Sequence, residues 1–193
     1  MAGLRSITRL VVALAAGACS RPVARPADVP ASAVWVGGAD GGAFVDCTDA
    51  APPRAYACTV YGDATGDVLA SGRFAVRPDA PPSVRGEPLR LDAFDGDTIH
   101  LQDGRVMASE PTDRARGVPA SAVLAENGVW VDCVPGPQDG RYACELFVAA
   151  TGRSLGRRLY RVSTAGLRWA NARPKIATKA AIFLRGGESL TAE

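Results

Sequence analysis

Histidine is almost missing from this chain of 193 residues, with His100 as its only copy. A Ser-His-Asp or Cys-His reaction centre would have to use it, yet no Gly-x-Ser-x-Gly nucleophile turn occurs. His100 sits between Ile99 and Leu101 on an expected strand, so alternation turns it away from those apolar neighbours toward solvent. The chain also lacks closely spaced cysteine pairs and histidine partners, so no zinc site is expected, and no cofactor. The glycines Gly37, Gly38, Gly41 and Gly42 are not followed by the Lys-Ser or Lys-Thr of a phosphate loop and read as a turn. Asp92, Asp95, Gly96 and Asp97 lack the terminal glutamate of a calcium loop and read as turn chemistry too.

Net charge is a further absence. Beyond residue 18 the chain carries 20 basic and 20 acidic side chains, which argues against a nucleic-acid partner. The balance hides an asymmetry: residues 19–110 hold 8 arginines against 13 acids, and residues 111–193 hold 12 basic groups against 7. Attraction between the halves follows, as does the plainer account of two solvated surfaces.

No apolar run is long enough to span a bilayer. The short run Leu10–Ala16, preceded by Arg5 and Arg9 and followed by Gly17 and Ala18, reads as an export signal over residues 1–18. With Cys19 added, Leu14-Ala15-Ala16-Gly17-Ala18-Cys19 resembles the processing site of bacterial lipoproteins. That resemblance implies lipidation of the Cys19 thiol and cleavage before it. It also implies membrane attachment through the lipid, with Ser20 favouring the outer membrane of the cell envelope. Ala16 stands where such sites usually carry leucine, and Ala16 with Ala18 also satisfies an ordinary Ala-x-Ala cleavage site, which would release a soluble protein. The proline-punctuated residues 19–28 read as a tether.

Five cysteines are an odd number for an exported protein until Cys19 is set aside. The remaining four occur in a duplication. Cys47 and Cys58 are eleven positions apart, as are Cys133 and Cys144; both pairs close on Tyr-Ala-Cys and run on to Ala-Thr-Gly. A copied module closes its own bridge, so Cys47 is expected to pair with Cys58 and Cys133 with Cys144. Val29-Pro30-Ala31-Ser32-Ala33-Val34 recurs as Val118-Pro119-Ala120-Ser121-Ala122-Val123. Ile99, Leu101, Gly104, Met107 and Glu110 match Ile182, Leu184, Gly187, Leu190 and Glu193. Two modules follow, residues 29–110 and 118–193, joined by a polar linker at 111–117. Residues 77–97 and 163–181 do not align.

Short β-branched and aromatic runs between Gly, Pro and Asp clusters predict an all-β fold: two tandem, related antiparallel β modules packed together, each with a hairpin disulfide. Residues 44–48 with 55–61, and 129–134 with 141–148, are the expected hairpins; 98–101 with 106–108 is a tighter one. Only residues 164–172 have helical promise, ended by Pro174. The bridges fix the register, because paired positions in an antiparallel hairpin sum to a constant. Phe44 then faces Tyr61, and Trp130 faces Phe147. Val45, Cys47, Tyr56, Cys58 and Val60 share the core face with Val131, Cys133, Tyr142, Cys144 and Leu146 in the second copy.

The outer face carries Phe44, Tyr61, Trp130 and Phe147, and so either packs against the other module or offers a binding surface. Asp132 and Glu145 fall directly opposite and form a candidate acid-base or cation pair, although copy one has Asp46 and Thr59 there. Arg153, Arg157, Arg158, Arg161 and Arg168 make a candidate anion-binding patch.

The Tyr-Ala-Cys strands are similar to those of the lysozyme-inhibitor β-barrels, a likeness of three residues per copy. It implies a barrel strand and an inhibitory role as one alternative, but no loop like their inhibitory one is present. The reading adopted is a non-enzymatic envelope lipoprotein with a binding or structural role, its partner an envelope protein or peptidoglycan. An envelope hydrolase using Asp132, Glu145 or His100 is the rival class.

Overall fold

A computed structural model of the chain describes residues 23–38, 41–50, 55–77, 89–96, 98–110, 112–163 and 167–193. The expected signal at 1–18, Cys19 and the start of the tether lie outside these residues. So do Pro52-Pro53, Asp97 and residues 164–166.

Module one consists of β1 (Val34–Val36), β2 (Ala43–Ala50), β3 (Ala55–Gly62), β4 (Val68–Val76), β5 (Leu91–Asp95), β6 (Thr98–Leu101) and β7 (Val106–Glu110). Module two repeats the set as β8 (Val123–Leu124), β9 (Val129–Pro135), β10 (Arg141–Val148), β11 (Ser154–Val162), β12 (Pro174–Ala177), β13 (Ala181–Leu184) and β14 (Ser189–Ala192). Each forms one seven-stranded antiparallel sheet, ordered β1-β2-β3-β4-β7-β6-β5 and β8-β9-β10-β11-β14-β13-β12. The two orders are the same permutation. In module one the Phe94 N–H donates to Gly37 O at 3.0 Å; in module two the Glu126 N–H donates to Lys175 O at 2.9 Å. These bonds curl each sheet into a nearly closed barrel. The segment with helical promise yields one 3-10 turn, Trp169–Asn171.

The expected register holds throughout both hairpins. Phe44 faces Tyr61, Asp46 faces Thr59, Trp130 faces Phe147, and Asp132 faces Glu145. The disulfides join Cys47 to Cys58 and Cys133 to Cys144 directly across the strands, with Cα separations of 4.1 and 4.0 Å. Such short spacings belong to the non-hydrogen-bonded type of antiparallel pair, where side chains approach closest.

Irregularities repeat as faithfully as the strands. The β3–β4 ladder slips between Val60 and Tyr61, and the β10–β11 ladder slips at the matching Leu146 and Phe147. A second bulge falls between Leu91 and Ala93 in β5 and between Pro174 and Ile176 in β12. The segments that do not align in sequence therefore contain equivalent strands. The tight turns match as well: Gly104 and Gly187, at φ of 83° and 91°, occupy the same turn, a conformation that glycine adopts without steric cost.

Inside the barrels the buried side chains correspond in pairs. Val45, Val60, Phe74, Ile99, Leu101 and Met107 in module one match Val131, Leu146, Tyr160, Ile182, Leu184 and Leu190 in module two, each at most 5% exposed. Where Phe74 became Tyr160, the added hydroxyl donates to the carbonyls of Thr178 and Lys179, 3.3 Å from each. Burial pushes this phenol up from 10.0 to about 12, with Arg158 opposing the shift. Below pH 10 the tyrosine is neutral both folded and unfolded, so its stabilising contribution is complete. Between pH 10 and about 12 the unfolded chain ionises first, and stability falls as pH rises. Tyr160→Phe is expected to make that alkaline loss shallower, read as the slope of the urea midpoint against pH.

The module boundaries extend further upstream than the repeated hexapeptide. Residues 25–28 belong to the first barrel rather than to a tether, and residues 114–117 belong to the second rather than to a linker. Val29 N–H bonds Pro26 O, and Val118 N–H bonds Ala115 O; Ala33 to Pro30 and Ala122 to Pro119 repeat the next turn. Arg25 lies 5.6 Å from the Phe44 ring centroid and donates to Ala33 O. Arg114 lies 4.8 Å from that of Trp130 and donates to Ala122 O. A cation over an aromatic face, held by a hydrogen bond, fastens each leading segment onto its barrel.

The modules meet where the β9 entry and the β10–β11 turn of module two rest against β4. Asn127 is 8% exposed and joins both barrels: its Nδ2 donates to Val68 O at 2.8 Å and Ala177 O at 2.9 Å, while Ala177 N–H donates to its Oδ1. Ser71 Oγ accepts the Ala150 N–H, and Arg153 donates to the Tyr61 hydroxyl. Lys179 Nζ pairs with Asp28 at 2.7 Å, and holds that carboxyl below its usual value. It is the one ion pair between the modules among the described residues, so the charge asymmetry of the halves is not chiefly spent at their contact.

Candidate functional site

The four outward aromatics are not a free surface. Phe44, Tyr61, Trp130 and Phe147 are only 2–8% exposed, which removes them as a ready binding face. The leading segment of each copy covers its own aromatic pair. Val29 and Ala33 cluster with Phe44 and Tyr61, and Val118 and Ala122 with Trp130 and Phe147. Phe44 and Tyr61 also join the apolar cluster of module two, so they serve the contact between barrels.

Asp132 and Glu145 are opposed as expected, but each is held by a different neighbour. Ser121 Oγ donates to Asp132 Oδ1 at 2.8 Å, and Ser154 Oγ donates to Glu145 Oε1 at 2.7 Å. Arg157 lies 3.9 Å from the other Glu145 oxygen. Two carboxylates splitting a proton need each other as nearest partner, and these have hydroxyls and a guanidinium instead. His100 lies on the other barrel, in β6, between the buried Ile99 and Leu101. The three residues of the rival hydrolase are thus spread over two modules. Asp92 and Asp95 belong to β5, and Gly96, at φ 61°, makes the turn into β6. Among the described residues no group of three or more His, Cys, Asp or Glu side chains gathers.

The five arginines separate along β11. Arg153 is drawn to Tyr61 at the module contact, whereas Arg168 lies beyond the opposite end of the strand. There it lines an open cleft of about 540 Å³ with Arg141 and Tyr142. Arg141 is itself engaged by Gln138 and Glu193. That leaves Arg157, Arg158 and Arg161, all exposed, on the strand. Arg161 pairs with Glu193 at 3.1 Å, whereas Arg158 makes no ion pair with a described residue.

Sequence reasoning missed the two arginine clamps. The signal for them was an arginine four positions ahead of each Val-Pro-Ala-Ser-Ala-Val, at Arg25 and Arg114. It also missed Asn127, whose role depends on a contact between modules that spacing within one module does not encode. Comparison with family models, with curated proteins and with solved structures gives no match.

Proposed function

We propose that this chain is a lipid-anchored protein of the bacterial cell envelope whose double barrel binds or braces another envelope component. The observation that supports the reading best is that each barrel contains its own closed disulfide. Paired cysteines of this kind persist in oxidising compartments outside the cytosol. With those four committed, Cys19 is the one remaining thiol, and it follows the apolar run at the position where a lipoprotein would be acylated. The outer membrane facing the periplasm is the proposed location.

Arg25 is already packed on the first barrel, so in this reading at most residues 19–24 separate the folded body from Cys19, a span of no more than about 20 Å. The body then stays close to the membrane, within range of partners at its surface or of peptidoglycan. A binding rather than a catalytic role is supported by the placement of the rival's residues: Asp132 and Glu145 are each held by a serine hydroxyl in module two, and His100 lies on the other barrel. Mass analysis of the mature N-terminus tests the anchor: an acylated Cys19 as first residue is expected. An unmodified Cys19 thiol would instead mark a soluble exported protein and defeat the reading.

A further inference from the structure

Resting on the envelope reading above, we propose that the outer face of β12 and β13, around Ile176 and Phe183, is a docking patch that lays module two on a bilayer with anionic headgroups. Ile176 and Phe183 face each other across the two strands and are 42% and 49% exposed. Leu124, 37% exposed, lies on the adjoining β8, two residues before Glu126, whose N–H donates to Lys175 O. Three large apolar side chains thus stand in solvent on neighbouring strands. Grouped exposure of this kind marks an interaction surface, whereas a lone exposed leucine does not.

The duplication shows that the barrel itself does not need them. Ala93 faces His100 in module one as Ile176 faces Phe183 in module two, with the same bulge beside each pair. Gln102 N–H donates to Arg90 O as Arg185 N–H donates to Arg173 O. Asp92 then corresponds to Lys175, and Gln102 to Arg185. On one and the same strand arrangement, alanine, histidine, aspartate and glutamine stand where module two has isoleucine, phenylalanine, lysine and arginine. Module two thus differs on this face by more apolar surface and more positive charge together, with the pairing unchanged.

That combination selects the occupant. Apolar side chains that enter the acyl boundary, beside cations that meet headgroup phosphates, hold a protein on a membrane surface. Glu126 pairs with Arg185 at 3.0 Å, while Arg173 and Lys175, both exposed, make no ion pair with a described residue. A second copy facing the same patch would bring like cations together, which disfavours a dimer there. Position agrees with a membrane. Lys179, in the turn between β12 and β13, holds Asp28 of the leading segment at 2.7 Å. Ile176 and Phe183 lie within four residues of Lys179, about 13 Å along a strand. Arg25 lies three residues before Asp28, about 10 Å at most. The patch is therefore within roughly 25 Å of the point where the stretch to Cys19 leaves the fold, and a lipid on Cys19 would keep it at the bilayer.

The test uses residues 19–193 with both disulfides closed and Cys19→Ser, so that no acyl chain contributes. The probes are vesicles of phosphatidylcholine with or without about one third phosphatidylglycerol. Co-sedimentation with the anionic vesicles is expected. Phe183→Asp with Ile176→Ser, and separately Arg173→Glu with Lys175→Glu, should each weaken it about tenfold or more. His100→Asp with Ala93→Ser, the matched pair in module one, should leave it unchanged. The added emission of Phe183→Trp should be quenched by lipids brominated on their acyl chains, and that of His100→Trp should not. No binding to anionic vesicles, equal binding of either module-two variant, equal weakening by the module-one pair, or no quenching of Phe183→Trp would overturn the proposal. So would a dimer that Phe183→Asp dissociates, since a second copy would then be the occupant. The acyl mass on Cys19 is read separately. Vesicle binding absent with Cys19 acylated sinks the patch alone, and vesicle binding present with Cys19 unmodified sinks the anchor alone.

Discussion

Replacing either cysteine pair with alanines, Cys47 with Cys58 or Cys133 with Cys144, is expected to lower stability by about 3 kcal/mol, and replacing both pairs by about 6 kcal/mol. The figure follows from loop closure, since each bridge joins residues eleven apart and removes unfolded-state freedom in proportion to the logarithm of the loop. The two effects should add, because the bridges share no partner and lie in separate barrels. Against a typical net stability of about 5–15 kcal/mol, the double loss takes much of what holds the fold. Urea unfolding with a hydrogen-exchange readout for each barrel separates the contributions. Each pair should destabilise chiefly its own barrel, and by similar amounts. A cost below about 1 kcal/mol for either pair would mean that the hairpin packing, not the bridge, closes that barrel.

The same bridges explain why so much of the fold was legible in the sequence. A direct cross-strand disulfide fixes which residues oppose each other, and alternation then fixes the faces. Hence Phe44 opposite Tyr61, and Val45, Val60, Val131 and Leu146 in the core, followed from spacing. What the disulfides do not reach stayed hidden. β5 and β12 each carry a bulge, so their side chains do not keep one period along the strand. Leu91-Asp92-Ala93-Phe94 and Pro174-Lys175-Ile176-Ala177 also share almost no residue types, although they occupy the same place in the two barrels. Their equivalence lies in which neighbours they pair with, and pairing with a distant strand leaves little trace in a local pattern.

The outer face shows the same limit from another side. Alternation placed Phe44, Tyr61, Trp130 and Phe147 there correctly, and could not say what lay over them. The covering residues, Val29 and Ala33 or Val118 and Ala122, belong to the repeated Val-Pro-Ala-Ser-Ala-Val, which marks the start of each module without showing where the chain turns. Their apolar atoms become a lid only because two successive turns fold the segment back and an arginine clamps it. The basic strand was visible as composition, yet its division into a module contact, an exposed stretch and a distant cleft needed the barrel.

Gly128→Ala is expected to separate the modules while leaving each barrel folded. At φ 70° the residue pays roughly 1 kcal/mol for any Cβ, by backbone conformation alone. The larger part is steric. The new Cβ would fall 1.8 Å from Ser71 O and 2.5 Å from Ser71 N, and both are backbone atoms held in β4, unable to swing aside as a side chain would. The contact must therefore open, and with it go the Asn127 bond to Val68 O and the Ala150 bond to Ser71 Oγ, each worth about 1 kcal/mol net. Tyr61 and Val68 return to water at the same time, so a total above about 3 kcal/mol is expected. Gly140→Ala is the matched control. Gly140 has nearly the same φ, 74°, in a turn where nothing lies within 4 Å of the added Cβ, and should cost only the backbone part. X-ray scattering should show a larger radius of gyration for Gly128→Ala and no change for Gly140→Ala. Exchange should quicken at Ala150 and around Asn127, but not at Val45 or Val131 inside the barrels. Equal behaviour of the two variants would mean that the close approach of Gly128 to β4 is not what sets the barrels together.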